Sequence, residues 1–230
     1  MYKCIVFGGN GNIGRTVVDN LLECKKYKEI VIFYRNKLAR WNNNDKLKLI
    51  EIEQFNFLNN NNYIEEFSNK IGNVKDYNTV FCCLGGRNDS EYEKVDYEIS
   101  IKISNICEAL NITHLSIIST EKSDPNSNDK FLKFRGKMEE EICNRNIKYI
   151  SIFKTNYVTH KEDPSFCQCI ISFFCRCNSN SIECKIIGKA MVVNDLKILN
   201  SCCKGEENMG KTIKNSYTNN EIKKLALEKI

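Results

Sequence analysis

A chain of 230 residues with 42% hydrophobic content is long enough for one sizeable α/β domain with a real core. Its formal charge of +5 is modest, and Lys and Glu interleave along most of its length as on solvated helix faces, so a nucleic-acid surface is not expected. No window approaches the ~20 apolar residues of a membrane span, and MYKCIVFGG passes straight into a strand pattern without a charged leader, so the cytosol is the expected compartment.

Strand and helix patterns alternate from the start. Lys3 to Phe7 is an apolar run that ends in glycines, Ile13 to Cys24 has helical periodicity, and Ile30 to Tyr34 is rich in β-formers. Leu47 to Ile52 reads as a third strand, followed by a polar helix at Tyr63 to Ile71 and a buried-type strand at Thr79 to Leu84. Glu93 to Leu110 reads as a helix, His114 to Ser119 as the fifth strand, Asp129 to Arg145 as an amphipathic helix and Tyr149 to Phe153 as the sixth strand. Beyond it the pattern loosens, with helical stretches at Ser165 to Cys177, Lys189 to Ser201 and Glu221 to Lys229. Strands and helices alternating at this pace imply parallel pairing through right-handed crossovers. The expected fold is α/β: a single Rossmann-type domain over residues 1–230, a doubly wound parallel sheet. Its dinucleotide-binding core covers about 1–155, and a small helical C-terminal portion (156–230) packs on it.

The first strand ends in Gly8-Gly9-Asn10-Gly11-Asn12-Ile13-Gly14-Arg15, which satisfies Gly-x-x-Gly-x-x-Gly and, from Gly9, Gly-x-Gly-x-x-Gly. The turn needs a residue free of Cβ constraints, a pyrophosphate needs bare backbone to approach, and the helix needs close contact with its strand. The amides that open the helix then meet a phosphate. At the end of the second strand, ~20 residues on, an acid would grip the ribose of NAD. This chain has Tyr34-Arg35-Asn36-Lys37 instead. Arg35 can pair with a 2′-phosphate, so the expected cofactor is NADP(H) rather than NAD or S-adenosylmethionine.

With these pieces in place the chain resembles an atypical short-chain dehydrogenase/reductase, and more closely the Tat-interacting tumour-suppressor oxidoreductase family. The segments that carry the resemblance are VFGGNGNIGR, VIFYRNK, VFCCLGG, VDYEISIKIS, HLSIISTEKSD, FRGKMEEEI and YISIFK, in order and at similar spacing, with a looser match through IGKAMVVNDLKIL and IKKLAL. The resemblance implies that Asn10, Gly11, Asn12 and Ile13 line the pyrophosphate, Arg35 and Asn36 lie at the 2′-phosphate, and Leu84 and Gly85 contact the adenosine side. It also implies protein partners, nuclear-import factors among them.

The family's Tyr-x-x-x-Lys pair falls on Phe131 and Arg135. Phe131 has no proton to give to a forming alkoxide. Arg135 can hold a ribose but stays protonated, with no phenol to activate. Lys154-Thr155-Asn156 stands where the family has Arg-Pro-Gly, while Ser119 and Thr120 remain at the end of the fifth strand, where either can bind a carbonyl or cap the strand. Tyr157 and Lys161 match Tyr-x-x-x-Lys by letter but follow the sixth strand. Cys167, Cys169, Cys175 and Cys177 flank a helix-like apolar run and scatter around it, unlike a zinc knuckle, and the thirteen cysteines read as packing thiols. His114 reads as a structural residue opening a buried strand. The expectation is an NADP(H)-binding protein with a degenerate catalytic pair that serves as a regulatory or binding module. The alternatives are an active NADPH-dependent oxidoreductase with a displaced acid (Thr120, Tyr157 or water) and an interaction module without cofactor.

Overall fold

Apolar runs that end in glycine or polar turns become strands, and the 3.6-periodic stretches between them become helices. A computed structural model describes residues 1–34, 41, 44–52, 56–72, 76–159, 181–204 and 212–229. In chain order the elements are β1 (Tyr2–Phe7), α1 (Asn12–Glu23), β2 (Tyr27–Tyr34), β3 (Leu47–Glu51), a 3₁₀ turn (Asn56–Asn59), α2 (Tyr63–Ile71) and β4 (Thr79–Cys82). A single turn α3 (Asp89–Glu91) leads into a π-helical segment (Tyr92–Ile99), α4 (Ser100–Ala109), β5 (His114–Thr120), α5 (Lys130–Cys143) and β6 (Tyr149–Thr155). The short pair β7 (Val158–Thr159) and β8 (Ile182–Glu183) precedes α6 (Cys184–Cys203), β9 (Ile213–Tyr217) and α7 (Asn219–Leu225).

The main sheet has the order β3-β2-β1-β4-β5-β6-β9, and every pairing in it is parallel. Alternate residues of each strand face opposite layers. Ile5, Phe7, Val31, Phe33, Val80 and Ile117 pack with side chains of α2, α4 and α5. Cys4, Val6, Ile30, Ile32, Phe81 and Ile118 pack with those of α1, α6 and α7. This two-sided cover is the doubly wound Rossmann-type arrangement.

Two elements depart from the sequence reading. The helix expected from Glu93 begins as the π-helical segment, a form that turns side chains differently from an α-helix. The C-terminal portion also supplies a seventh strand, β9, to the edge of the main sheet. Its sequence, IKNSY, is apolar only at its ends, so the hydrophobic signal for a strand is weak. The helix read at Ser165 to Cys177, including the four cysteines, lies outside the described residues. Among the described residues no helix is long and apolar enough to cross a membrane.

Opposite the carboxyl edge of the sheet, a buried polar network ties α6 to the strand beginnings. Asp195 accepts hydrogen bonds from the Tyr27 hydroxyl and, at 2.6 Å, from the Thr79 hydroxyl. His114 Nδ1 lies 2.6 Å from the same carboxylate, and its Nε2 lies 2.9 Å from Ser151 Oγ. Asn194 donates to Ser151 at 2.9 Å and accepts from Tyr217 of β9 at 2.7 Å. Burial and the adjoining carboxylate push the Tyr27 phenol well above its ordinary value. Tyr27, Thr79 and His114 are the first residues of β2, β4 and β5, so one carboxylate sets the register of three strands against α6.

Asp195→Ala would strand these donors in a dry layer. It is expected to lower stability by about 3–5 kcal/mol, read as a drop in the urea midpoint; an unchanged midpoint would remove the network from the forces that hold α6.

Candidate functional site

The strand order reverses between β1 and β4, so the connections that leave their carboxyl ends diverge and open a crevice. Its first wall is the glycine turn. Gly8 has φ +79°, and a Cβ there would stand 2.7 Å from the Cys83 carbonyl oxygen. The Gly11 amide returns to the Gly8 carbonyl at 2.9 Å, and Arg15 Nε donates to the Asn10 carbonyl at 2.9 Å. A Cβ on Gly14 would come within 2.0 Å of the Gly8 carbonyl oxygen, so only glycine lets α1 seat this close to its strand.

Gly11 caps α1 in an extended conformation, with no side-chain cap bond and no acidic residue in the first turn. The opening amides of α1 cannot reach an intrahelical carbonyl, and they sit at the positive end of the helix dipole at the carboxyl edge of the sheet. That is the donor set a pyrophosphate requires. Gly8, Asn10, Gly11, Asn12, Ile13 and Gly14 lie together in this turn and the start of α1. Arg35 and Asn36 lie outside the described residues.

The second wall follows β4. Asp96 of the π-helical segment accepts from the Gly86 amide at 2.7 Å and pairs with Arg135 of α5 at 2.6 Å. Arg135 Nη2 also donates to the Leu84 carbonyl at 3.0 Å, and Nη1 donates to the Ile118 carbonyl of β5. The guanidinium carbon lies 5.7 Å from the Phe131 ring centre, and that ring packs on Tyr92 at 5.3 Å. Arg135 is 4% exposed and Asp96 fully buried. Burial raises the Asp96 carboxyl above its ordinary value, against the opposing pull of Arg135. Leu84, Gly85 and Arg135 lie side by side, with the guanidinium bonded to Asp96 and to the Leu84 and Ile118 carbonyls.

Ser119 of β5 donates to Glu139 of α5, and Glu139 pairs with Lys154 of β6 at 2.6 Å. The Thr155 hydroxyl donates to the Ser119 carbonyl at 3.1 Å. Nearby, Glu121 accepts from the Asn219 amide of α7 at 2.8 Å and from Asn156 at 3.3 Å, joining the C-terminal helix to this edge. Tyr157 is 47% exposed, and Lys161 lies outside the described residues.

Sequence reasoning missed Asp96 and Glu139. Asp96 interrupts an otherwise apolar helix face between Val95 and Ile99, a signal that marks a partnered buried acid. Glu139 sits in a run of three glutamates, and nothing in the sequence separates it from Glu140 and Glu141. The buried cysteines behave as packing groups: desolvation pushes Cys4, Cys82 and Cys107 up, and Cys184 up to about 12.

No family model matches the chain. It is similar to protein HTATIP2 of Rattus norvegicus, 20% identical over 154 residues, which are 65% of this chain and 60% of that protein. Among solved structures, the Bordetella bronchiseptica enzyme WbmH in complex with NAD+ superposes with a TM-score of 0.68 at 11% identity, covering 95% of this chain and 75% of that one. UDP-glucuronic acid 4-epimerase of Bacillus cereus in complex with NAD gives 0.62 at 14% identity, covering 98% and 91%. The oxidoreductase ylbE of Lactococcus lactis gives 0.55 at 15% identity, covering 70% and 71%. The fold is shared with these NAD-complexed enzymes and with the oxidoreductase ylbE, and the sequence resembles HTATIP2.

The Asp96–Arg135 pair yields a double-mutant test. Asp96→Ala leaves the Arg135 charge buried and is expected to cost about 3–5 kcal/mol, whereas Asp96→Leu combined with Arg135→Met costs far less. Urea denaturation of both proteins checks this; equal losses would show that the two charges do not depend on each other.

Proposed function

We propose that this chain is a cytosolic NADP(H)-binding protein of reductase ancestry that acts as a cofactor-dependent binding or regulatory module and transfers hydride weakly or not at all. The observation that carries this reading is the contrast between the two halves of the crevice. The glycine turn presents bare backbone and the open end of α1, where a Cβ on Gly8 or Gly14 would collide with neighbouring backbone. The catalytic seats hold Phe131, packed on Tyr92, and Arg135, bound to Asp96 and two carbonyls.

The residues that would hold the cofactor are Asn10 to Ile13 at the pyrophosphate and Leu84 and Gly85 beside it. Arg35 and Asn36 would take the 2′-phosphate, and the preference for NADP(H) over NAD(H) rests on the charge of Arg35. A nicotinamide cofactor would supply hydride, but carbonyl reduction also needs a proton at the forming alkoxide. Phe131 has none, and the Ser119 hydroxyl hydrogen is directed at Glu139. Solved structures of WbmH and of the Bacillus cereus epimerase with NAD support a dinucleotide in this fold. The described cysteines are free thiols, which supports a reducing compartment. A regulatory role requires a protein partner that distinguishes loaded from empty protein.

Titration of the purified protein with NADPH, followed by nicotinamide fluorescence, is expected to saturate in the micromolar range. NADPH should bind more tightly than NADH, and Gly14→Val should lose at least about tenfold in affinity. A screen of small carbonyl compounds with NADPH is expected to show no saturable turnover. Absence of saturable binding would sink the proposal; robust turnover would replace it with an active reductase.

A further inference from the structure

We infer that the Asp96–Arg135 ion pair is a positioning clamp for the crevice: it fixes the main chain on both sides of Gly85, so that ligand affinity depends on it beyond its share in stability. This rests on the dinucleotide-binding reading above, in which Leu84 and Gly85 form the wall beside the ligand.

The chain leaves β4 through Cys83-Leu84-Gly85-Gly86. Two consecutive glycines bring no side chain with which to pack, and glycine has the most backbone freedom to lose. The main chain here is held by groups from other elements. The Cys83 amide donates to the Phe7 carbonyl of β1 at 2.9 Å. The Leu84 carbonyl accepts from Arg135 Nη2 at 3.0 Å, and the Gly86 amide donates to Asp96 Oδ2 at 2.7 Å. Asp96 Oδ1 closes the ring by pairing with the same Nη2 at 2.6 Å. Gly85 is therefore bracketed by a guanidinium on the residue before it and a carboxylate on the residue after it. The fit is close: a Cβ on Gly86 would stand 2.7 Å from Asp96 Oδ2, and one on Gly85 would stand 3.3 Å from Arg135 Nη2.

The clamp bears on the first wall as well. A Cβ on Gly8 would stand 2.7 Å from the Cys83 carbonyl oxygen and 3.1 Å from the Leu84 nitrogen, so this segment rests against the glycine turn. A shift of Leu84 or Gly86 therefore changes the gap between the two walls. Arg135 is held in turn by the Ile118 carbonyl of β5, and Asp96 belongs to the π-helical segment, so the loop takes its position from two other elements. Asp96 is fully buried and acts on a ligand only through the loop. A buried ion pair is a poor source of stability, since an apolar pair of similar volume often holds a fold as well. An apolar pair cannot bond the Leu84 carbonyl and the Gly86 amide, and a loop that must be ordered on binding costs affinity.

The test titrates NADPH, followed by nicotinamide fluorescence, into the unmodified protein, the double variant Asp96→Leu with Arg135→Met, and Asp96→Asn, with the urea midpoint of each as reference. The double variant is expected to stay folded and to bind at least about tenfold more weakly. Asp96→Asn leaves the Arg135 charge without its carboxylate and is expected to weaken binding too. Unchanged affinity in the double variant would overturn the inference and leave the dinucleotide-binding reading standing. Tighter binding by Asp96→Asn would do the same, because Arg135 would then serve the ligand directly. Where a variant does not fold, hydrogen exchange of the Gly86 amide in the unmodified protein is the measurement: protection is expected, and exchange at the rate of a free amide would remove the clamp. If the unmodified protein does not bind NADPH, the dinucleotide-binding reading fails and the inference with it.

Discussion

The near-contact of α1 with the end of β1 governs the geometry of this molecule. With hydrogen alone at Gly14, the helix backbone closes on the Gly8 carbonyl, where a Cβ would stand at 2.0 Å. The same closeness continues on the far side of α1. The Thr16 hydroxyl donates to the Cys184 carbonyl at 2.9 Å, and a Cβ on Gly188 would lie 2.1 Å from Thr16 Oγ1. Strand, first helix and α6 are thus stacked with no room for a Cβ at Gly14 or Gly188. A displacement of α1 at the turn would propagate to α6 and to the polar layer beneath it.

This packing makes the two halves of the crevice chemically unequal. One half is built from main-chain amides, which persist under any substitution that spares the glycines. The other half depends on which side chains stand at a few positions, and there Phe131 packs on Tyr92 while Arg135 is paired with Asp96. Arg135 then serves the protein itself, joining the π-helical segment, the end of β4 and β5 through Asp96 and two carbonyls.

The strand-to-glycine-to-helix succession and the first six strands of the main sheet were legible because each rests on local pattern: apolar runs, period and spacing. Phe131 and Arg135 were singled out through the family resemblance and their offset from Ser119 and Thr120. What the sequence left dark depends on long-range pairing. β9 has a polar middle and becomes a strand by hydrogen bonding to β6. The Asp96–Arg135 pair joins residues 39 positions apart, and the Ser119–Glu139–Lys154 chain crosses three elements, so no window of sequence contains either. The π-helical start of the Tyr92 helix was equally hidden, since its apolar positions fit an α-helix nearly as well.

The polar layer under α6 also bears on how the chain reaches this state. Tyr27, Thr79 and His114 belong to strands made early in synthesis, yet their common acceptor, Asp195, lies in the last quarter of the chain. Until α6 is available, a sheet assembled from the earlier strands keeps these polar groups on an uncovered face, beside apolar side chains that α6 will later bury. Closure of the fold is therefore a late, long-range event rather than a strand-by-strand accumulation, as expected for a topology of high contact order. The carboxylate that ties the starts of β2, β4 and β5 together thus arrives only after all three strands have been made.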